Sequence, residues 1–320
     1  MRVAVLDDYA DAFRHTQAAG RLGDHEVVAF ADSVRGDALV ERLDGFDAVV
    51  LLQQRTPLPR EVAERLTTVR LVTQTGRSTS HLDLDALAAR GVTVCAGGSG
   101  DPVVTAELTW ALVLAAERHL VEEAARLRAG QWQHTVGRRL AGRTLGIWGL
   151  GRIGQHMARY ATAFGMDVLV WGREGSLSRA QELGYAAAPD RATLFAASDV
   201  VSVHLPLGDA TRGIVTVDDL GRMGPDALFV NTSRAGLVAP GALESALRAG
   251  RPGRAAIDVF ADEPVLGASD PLLSLPQVTA TPHLGYVERD VLDSLYGTAV
   301  DQVLAFAAGD PIDVVTAPAH

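Results

Sequence analysis

Three polar segments in the second half of the chain carry side chains that could hold an anionic substrate and move a proton. One segment ends at Arg234, one runs from Asp258 to Glu263, and one contains His283. Arginine can hold a carboxylate and an adjacent carbonyl oxygen through a forked, charge-assisted contact that lysine cannot make. A histidine with a carboxylate beside it is held in one tautomer and keeps its proton more strongly, which suits an acid that protonates a developing alkoxide. The segments therefore predict reduction of a carbonyl group or the reverse oxidation.

A glycine-rich turn precedes these segments and predicts a dinucleotide site. Gly149, Gly151 and Gly154 form G-x-G-x-x-G between a predicted strand and a predicted helix. The first glycine permits a tight turn, the second lets the backbone approach a pyrophosphate, and the third allows close helix–strand packing. Arg152 adds positive charge beside the phosphates. The alternative is a purely structural glycine turn, which the flanking strand and helix make the weaker interpretation.

The end of the next predicted strand bears on the choice of cofactor. NAD-binding domains place an acid there to accept the ribose hydroxyls, but this chain has Gly172 followed by Arg173. An arginine suits a ribose 2′-phosphate better than a free hydroxyl, so the sequence favours NADP over NAD. The alternative is that Arg173 is a solvated loop residue.

Short apolar runs alternate with helical patterns and predict two parallel sheets. In the second half six strands are predicted, and each of the three polar segments follows one of them, so the functional side chains should meet at the carboxyl edge of one sheet. Those runs are 144–148, 167–171, 199–203, 227–231, 255–258 and 277–280. The first half predicts five strands, at 3–6, 27–30, 48–52, 71–73 and 92–94, with helices at 38–43, 60–66 and 84–89.

The segments that join the two halves are also recognisable. A glycine-rich break at 96–102 leads into one long helical segment from Val103 to Gly130. After His283 a helix is predicted over 287–308, followed by an edge element at 311–315.

Length and charge narrow the classes of function. A chain of 320 residues fits two domains, and no stretch has the apolar length of a membrane span. The formal charge of -10 opposes binding to nucleic acid or an anionic membrane. The single cysteine, Cys95, supplies neither an internal disulfide nor a thiolate metal cluster. The N-terminus has no signal-peptide pattern, so we expect a cytoplasmic protein without a metal that acts on a small molecule.

The motifs together resemble the D-isomer-specific 2-hydroxyacid dehydrogenases. GLGRIG, VHLPL, NTSR, DVFADEP and TPHLG occur in the family's order and spacing. The resemblance implies an α/β fold in which a Rossmann dinucleotide-binding domain, 97–284, is inserted into a smaller flavodoxin-like substrate domain, 1–96 and 285–320. It also implies hydride transfer between NAD(P)(H) and a small 2-hydroxy or 2-oxo acid, with D stereospecificity.

The resemblance assigns roles to individual residues. It implies Arg234 as substrate anchor, Glu263 as the partner of the histidine, and His283 as general acid or base. Taken singly, each has a duller explanation: a surface arginine, an acid at a helix start, and a hydrogen-bonded loop histidine. The implied cofactor contacts are Gly149, Gly151, Arg152, Ile153, Gly154, Arg173, His204, Leu205, Pro206, Thr232, Ser233, Arg234, Asp258, His283 and Gly285. Asp258 resembles the family residue near the nicotinamide carboxamide. The resemblance also implies a homodimer whose contact lies on the long helix that begins at Val103.

The predicted substrate contacts are Arg55, Gly76, Arg77, Arg234 and His283, and some of them depart from the family pattern. Arg77 stands where the residue is often small, and Arg55 follows the third predicted strand. Both could recognise a second anionic group such as a phosphate, phosphonate or distal carboxylate; the alternative is that one or both lie in solvent. Ala235 replaces a usual glycine, Tyr286 replaces a small residue, and we expect no regulatory extension after residue 320.

Two other functions remain open. An enzyme of the same fold could act on phosphite or formate. A nicotinamide-sensing, corepressor-like binding protein would keep the fold and even the catalytic residues, but it would need an exposed peptide-binding cleft, and the acidic charge opposes that choice.

Overall fold

The computed structural model describes residues 1–316 as two α/β units. The first comprises Met1–Asp101 together with the chain from Val287 onward, and the second comprises Pro102–Tyr286. The second unit is therefore inserted in sequence into the first. That the first binds substrate and the second binds cofactor stays a prediction.

The strands form two sheets whose paired strands all run parallel. The first sheet has the order β2-β1-β3-β4-β5 and the second has the order β12-β11-β10-β9-β6-β7-β8. The first is the flavodoxin-like order, and the second is the doubly wound Rossmann order with one added strand. The strands are β1 Arg2–Val5, β2 Glu26–Ala29, β3 Ala48–Leu51, β4 Leu71–Thr75, β5 Thr93–Gly97, β6 Thr144–Trp148, β7 Asp167–Trp171, β8 Ala186–Ala187, β9 Val200–Val203, β10 Leu228–Asn231, β11 Arg254–Ile257 and β12 Val278–Ala280.

Helices connect these strands and cover the sheets. They are α1 Gly36–Leu43, α2 Arg60–Ala63, α3 Leu84–Ala89, α4 Pro102–Glu117, α5 Leu120–Arg128, α6 Arg152–Ala163, α7 Glu174–Glu182, α8 Arg191–Ala197, α9 Val217–Gly221, α10 Ala242–Arg248 and α11 Arg289–Ala307. The predicted α/β class and both sheet types are confirmed. None of the helices within residues 1–316 is long and apolar enough to cross a membrane.

Continuous apolar strands explain why the sheets are buried on both faces. Every residue of β3 and of β10 is buried, as expected for parallel strands with helices on each side. One apolar cluster in the first unit contains Val49 and Leu87, and two in the second contain Ile147 and Phe229. Burying such a side chain contributes about 1.5–3 kcal/mol to the free energy of unfolding. These clusters therefore stabilise the sheets whose carboxyl edges carry the predicted functional residues.

The second sheet has one strand more than predicted. The prediction of six strands is wrong, because β8 pairs with β7 along the sheet edge and makes seven. β8 has only two residues, both alanine. A segment that short has no period-2 pattern, so sequence periodicity does not detect it.

The predicted single helix over 103–130 is also wrong. The structure divides it into α4 and α5, with His119 between them in the left-handed region at φ 52°. The carbonyl oxygen of Glu117 accepts a hydrogen bond from the Arg138 amide at 2.8 Å, and its side chain pairs with Arg254 at 2.9 Å. These long-range contacts end α4, and apolar spacing alone contains no sign of them.

The predicted edge element near the C-terminus is a single antiparallel bridge between Val314 and Cys95. Hydrogen bonds from the Ala96 amide to Asp313 O and from the Val315 amide to Val94 O flank this bridge. The end of the described chain thus lies along β5 of the first sheet.

Candidate active site

The glycine-rich turn joins β6 to α6, and two of its glycines lie where neighbouring backbone leaves no room for a side chain. Gly149 has φ 99°, and a Cβ there would lie 2.6 Å from the carbonyl oxygen of His204. A Cβ at Gly154 would press on the carbonyl oxygen of Gly149. Gly149 and Gly154 are therefore required by the protein's own backbone.

Gly151 differs from these two glycines, because its missing side chain leaves open space. A Cβ built there meets no atom within 4 Å, and Gly151 directly precedes Arg152 at the start of α6. The first amides of a helix have no partner within the helix and bind anions well. Arg152 is exposed and Ile153 is half-buried beside them. The turn therefore fits the pyrophosphate of a dinucleotide.

The segment after β7 explains why an acid is absent from the predicted ribose position. A Cβ at Gly172 would lie 2.9 Å from both Cβ and Oγ of Ser176 in α7. Ser176 Oγ accepts the Leu150 amide at 3.1 Å, and Arg179 donates to the Leu150 carbonyl oxygen at 2.9 Å. These hydrogen bonds hold α7 against the glycine-rich turn. Because Ser176 is held there, no room is left for a side chain at residue 172. Arg173 is exposed immediately before α7.

The loop after β9 runs beside Gly149 and contains His204, Leu205 and Pro206. A Cβ at Gly149 would come within 2.9 Å of Leu205 Cδ2, while Pro206 is exposed. Ser202 Oγ lies 2.9 Å from His204 Nε2, and burial lowers the pKa of His204 to about 4. His204 is therefore neutral near pH 7. Its Nδ1 is buried with no hydrogen-bond partner among the described residues.

The loop after β10 is shaped by the side chain of its last strand residue. Asn231 Oδ1 accepts the Ser233 amide and Nδ2 donates to the Arg234 carbonyl oxygen, each at 3.0 Å. The Ser233 hydroxyl donates to Val203 O at 2.8 Å, and the buried Thr232 hydroxyl lies 2.7 Å from that of Thr109. Thr232 and Ser233, both predicted to contact the cofactor, thus each make a hydroxyl contact within the protein. Arg234 is exposed beyond them, with Nη1 donating to Ser233 O at 2.7 Å.

His283 and Glu263 form the predicted pair, from the loops after β12 and β11. His283 Nδ1 lies 2.6 Å from Glu263 Oε2, and Glu263 Oε1 accepts the Phe260 amide at 2.9 Å. A carboxylate at Nδ1 selects the tautomer with the proton on that nitrogen, and it stabilises the imidazolium once Nε2 is also protonated. The Tyr286 ring meets the His283 ring edge-on, with centroids 5.6 Å apart.

The backbone around His283 is held by Asp258, which is fully buried. Its carboxylate accepts the Thr281 hydroxyl at 2.6 Å and the amides of Leu284 and Gly285 at 2.7 and 2.8 Å. Burial raises the pKa of Asp258, and these three donors and the neighbouring His283 oppose that rise. His283 itself has φ 54°, a left-handed conformation that needs support from its surroundings. Asp258 provides that support, a role that its motif did not reveal.

The predicted substrate residues of the first unit lie after β3 and β4. Gly76 has φ 92°, and a Cβ there would lie 3.3 Å from Gln53 Oε1; Arg77 beside it is exposed. Arg55 donates to the Asp7 carbonyl oxygen at 3.3 Å, and its guanidinium lies 4.8 Å from the centre of the Tyr9 ring. Arg55, Gly76 and Arg77 therefore follow the carboxyl ends of two neighbouring parallel strands of the first sheet.

Sequence reasoning missed the polar cluster that supports Arg55. Asp7 is buried, with φ 56°. Its carboxylate accepts the hydroxyls of Ser33 and Thr56, and it pairs with Arg35 at 3.8 Å. Burial raises the pKa of Tyr9, although its bond to Ser33 opposes the shift. The acidic pair Asp7-Asp8 follows the first strand in the sequence, but nothing in that pair distinguishes a supporting acid from a solvated one.

Within the second unit, the structure brings the predicted residues to one carboxyl edge. β10, β11 and β12 are neighbours in the sheet, so the loops that carry Arg234, Glu263 and His283 follow adjacent strands. Among residues 1–316, no group of three or more His, Cys, Asp or Glu side chains is arranged to hold a metal ion.

Comparisons with known proteins agree with this geometry. Residues 110–285 match the family model for the NAD-binding domain of D-isomer specific 2-hydroxyacid dehydrogenases. A glyoxylate reductase of Thermococcus litoralis is 32% identical, over 85% of this chain and 84% of the relative. The D-3-phosphoglycerate dehydrogenase of Methanocaldococcus jannaschii is also 32% identical, over 92% of this chain but only 56% of the relative. The chain thus spans about half the length of the curated D-3-phosphoglycerate dehydrogenases that it matches.

Solved structures give the same result over nearly the whole chain. A phosphoglycerate oxidoreductase of Vibrio cholerae is 49% identical, with a TM-score of 0.93 over 97% of this chain and 99% of the other. A candidate D-3-phosphoglycerate dehydrogenase of Ralstonia solanacearum is 46% identical, with a TM-score of 0.94 over 99% and 97% of the two chains. The chain therefore belongs to the family of D-isomer-specific 2-hydroxyacid dehydrogenases.

Proposed function

We propose that the protein transfers a hydride between NAD(P)(H) and a small 2-hydroxy or 2-oxo acid with D stereospecificity. The observation that carries the proposal is the 2.6 Å contact between His283 Nδ1 and Glu263 Oε2. Glu263 follows β11, the neighbour of the strand that precedes Arg234, and His283 follows β12 beyond it, in a sheet whose glycine-rich turn fits a dinucleotide. A proton-transfer pair, an anion anchor and a cofactor turn are the parts that such a reaction requires.

In the reducing direction, Arg234 binds the substrate carboxylate and orients the adjacent carbonyl group. A reduced nicotinamide cofactor held at the glycine-rich turn and the start of α6 would supply the hydride. As the carbonyl π electrons move onto oxygen, His283 donates its Nε2 proton to the developing alkoxide. Glu263 stabilises the imidazolium before this transfer, and the resulting neutral imidazole recovers a proton from solvent. In oxidation, neutral His283 removes the hydroxyl proton.

The residues around the second strand of this sheet favour NADP over NAD. An acid that would bind a free 2′-hydroxyl has no space at Gly172. The exposed Arg173 offers a guanidinium suited to a 2′-phosphate. For the other predicted cofactor contacts, the N-terminal amides of α6 would hold the pyrophosphate, and the loop 204–206 would contact the nicotinamide half. Asp258 is fully buried, so it would act on that half only through the backbone of Leu284 and Gly285 that it holds.

We propose that the substrate carries a second anionic group. Arg55 is oriented by Asp7 and Tyr9 rather than extended into solvent, and Arg77 is exposed beside the Gly76 turn. Relatives named for phosphoglycerate and for glyoxylate bracket the possibilities, since one substrate has a second anion and the other does not. Arginine forms paired, charge-assisted hydrogen bonds with both phosphate and carboxylate groups.

We further propose that the protein is a cytoplasmic homodimer. The sequence predicts the contact on the long helix from Val103, and within that range α5, together with the segment after it, offers an exposed apolar surface. None of the residues of α5 is buried, and exposed apolar side chains gather there and beyond it: Leu120, Val121, Leu127, Trp132 and Val136, of which Val136 is 92% exposed. Exposed apolar side chains gathered in one stretch of the chain support a protein–protein interface there.

The test is the change in absorbance of the reduced-nicotinamide band with NADPH and NADH in parallel. The acceptors are glyoxylate, hydroxypyruvate, phenylpyruvate, oxaloacetate, phosphonopyruvate and the 2-oxo acid of 3-phosphoglycerate. We expect turnover that is fastest with a doubly anionic acid and NADPH, and that is lost in His283→Ala. Oxidation of formate or phosphite with no reduction of any 2-oxo acid would contradict the proposed substrate class. No turnover with any donor or acceptor would contradict an enzymatic role.

A further inference from the structure

α4 carries two threonines one helical turn apart, and each contacts one of the loops that bear the catalytic groups. The Thr105 hydroxyl donates to the Gly285 carbonyl oxygen at 2.7 Å, in the loop that follows His283. The Thr109 hydroxyl lies 2.7 Å from that of Thr232, in the loop that bears Arg234. Residues four apart on a helix share one face, so one face of α4 meets both loops.

The direction of each hydrogen bond follows from counting protons. Thr109 Oγ1 lies 2.7 Å from the Thr105 carbonyl oxygen, which can only accept. Because a hydroxyl has one proton, Thr109 donates it to that carbonyl and accepts from Thr232. Thr109 is fully buried, so water does not replace Thr232 as its donor. A directed chain therefore runs from Thr232 through Thr109 to the backbone of Thr105.

The loop beyond His283 is held from two sides. The Gly285 amide donates to Asp258 Oδ2 at 2.8 Å, and its carbonyl oxygen accepts from Thr105 at 2.7 Å. A Cβ at Gly285 would lie only 3.2 Å from Asp258 Oδ2 and 3.5 Å from Thr105 Cγ2. Gly285, two residues after the left-handed His283, is thus held both by its amide and by its carbonyl oxygen.

We propose that Thr105 and Thr109 are positioning residues, which together set the spacing between the loop of the acid–base histidine and the loop of the anchoring arginine. Thr105 acts on His283 through Gly285, and Thr109 acts on Arg234 through Thr232. This inference rests on the proposed hydride transfer. It predicts that the two threonines affect different kinetic parameters although they lie one turn apart on the same helix.

The competing explanation is that the threonines only pack α4 onto the sheet. α4 buries Ala106, Trp110 and Val113 in the apolar core, which already anchors the helix. Under this explanation, removing either hydroxyl lowers the melting temperature and leaves the kinetics of the folded enzyme unchanged.

The experiment compares Thr105→Val and Thr109→Val, which keep the branched shape and remove the hydroxyl. We expect Thr105→Val to lower kcat about tenfold with little change in the KM of the 2-oxo acid, since proton transfer loses its alignment. We expect Thr109→Val to raise that KM about fivefold to tenfold with a smaller change in kcat. Thr105→Ser and Thr109→Ser retain the hydroxyl and should restore each parameter to within about twofold.

Thr162→Val is the matched control, since the Thr162 hydroxyl makes the same bond to the carbonyl oxygen four residues earlier, in α6. It should change neither parameter. Equal losses in all three valine variants, or kinetics that the serine variants fail to restore, would overturn the proposal.

A second measurement does not depend on turnover. Hydrogen exchange of the Leu284 and Gly285 amides should become about fivefold faster in Thr105→Val, and that of the Ser233 amide should do so in Thr109→Val, with little effect on the other loop. If the wild type reduces no 2-oxo acid, the proposed function fails, yet this exchange pattern still decides whether the threonines hold the loops. Exchange that is unchanged, or accelerated equally in both loops, would refute their positioning role.

Discussion

Replacement of Glu263 by glutamine tests the proton-transfer pair with minimal change in shape. Glu263 Oε1 accepts the Phe260 amide at 2.9 Å and Oε2 contacts His283 Nδ1 at 2.6 Å. In Glu263→Gln the amide oxygen must stay with Phe260, because the amide nitrogen cannot accept that proton. The amide nitrogen therefore faces Nδ1, and the imidazolium, which carries a proton there, is opposed by another donor.

The expected loss is that of one charge-assisted hydrogen bond, about 1.5–3 kcal/mol. At about 1.36 kcal/mol for each factor of ten, kcat for reduction should fall by about 10- to 150-fold. The KM of the cofactor should not change, since Glu263 lies outside the glycine-rich turn. Steady-state kinetics with saturating cofactor measures the effect.

Asp262→Asn is the control for this prediction, because it removes the same charge from the adjacent, exposed residue. It should leave kcat within about twofold, as expected for a solvated charge. A Glu263→Gln enzyme with wild-type kcat, or an Asp262→Asn enzyme with an equal loss, would refute the argument that direct contact with His283 matters.

Further predictions concern the cofactor, the stability and the substrate. Gly172→Asp should weaken the binding of NADPH without creating tight binding of NADH, because the new Cβ would lie 2.9 Å from Ser176. The double variant Gly172→Asp with Ser176→Gly should bind NADH, as measured by fluorescence titration. Burial holds the pKa of His204 at about 4, below the unfolded value of about 6.5, so the unfolded chain binds the proton first and stability falls as pH drops from 6.5 to 4. In urea unfolding, His204 should contribute a decline of up to about 1.36 kcal/mol per pH unit, and His204→Gln should remove that contribution. Arg55→Lys should raise the KM of doubly anionic acids about tenfold and leave that of glyoxylate unchanged.

Much of the fold follows from the sequence because its strands are continuous apolar runs. Segments such as β3 and β10 are buried at every position, and only a parallel sheet covered on both faces needs such a pattern. The exceptions have physical causes. β8 is too short to show a period, and α4 ends where Glu117 bonds to Arg138 and Arg254, which lie far away in sequence.

The candidate site divides in the same manner. Arg234, Glu263 and His283 could be predicted because their types and their positions after strands indicate proton transfer and anion binding. Asp7, Thr105 and Thr109 could not, since a buried acid after a strand or a threonine in an apolar helix has no sequence pattern that distinguishes support from packing. Their roles depend on which distant backbone group each one contacts, and only three-dimensional structure supplies that information.

The loops of the second unit share one device, in which a side chain accepts backbone amides of its own or a neighbouring loop. Asn231 accepts the Ser233 amide, Asp258 accepts those of Leu284 and Gly285, and Glu263 accepts that of Phe260. Asn231 and Asp258 lie at the ends of the adjacent strands β10 and β11, so the sheet fixes the positions of the catalytic loops directly. Glu263 alone also contacts a reacting group, His283. Its substitution by alanine would therefore disturb both the loop and the proton transfer, which is why only the glutamine variant, which keeps the bond to Phe260, isolates the chemistry.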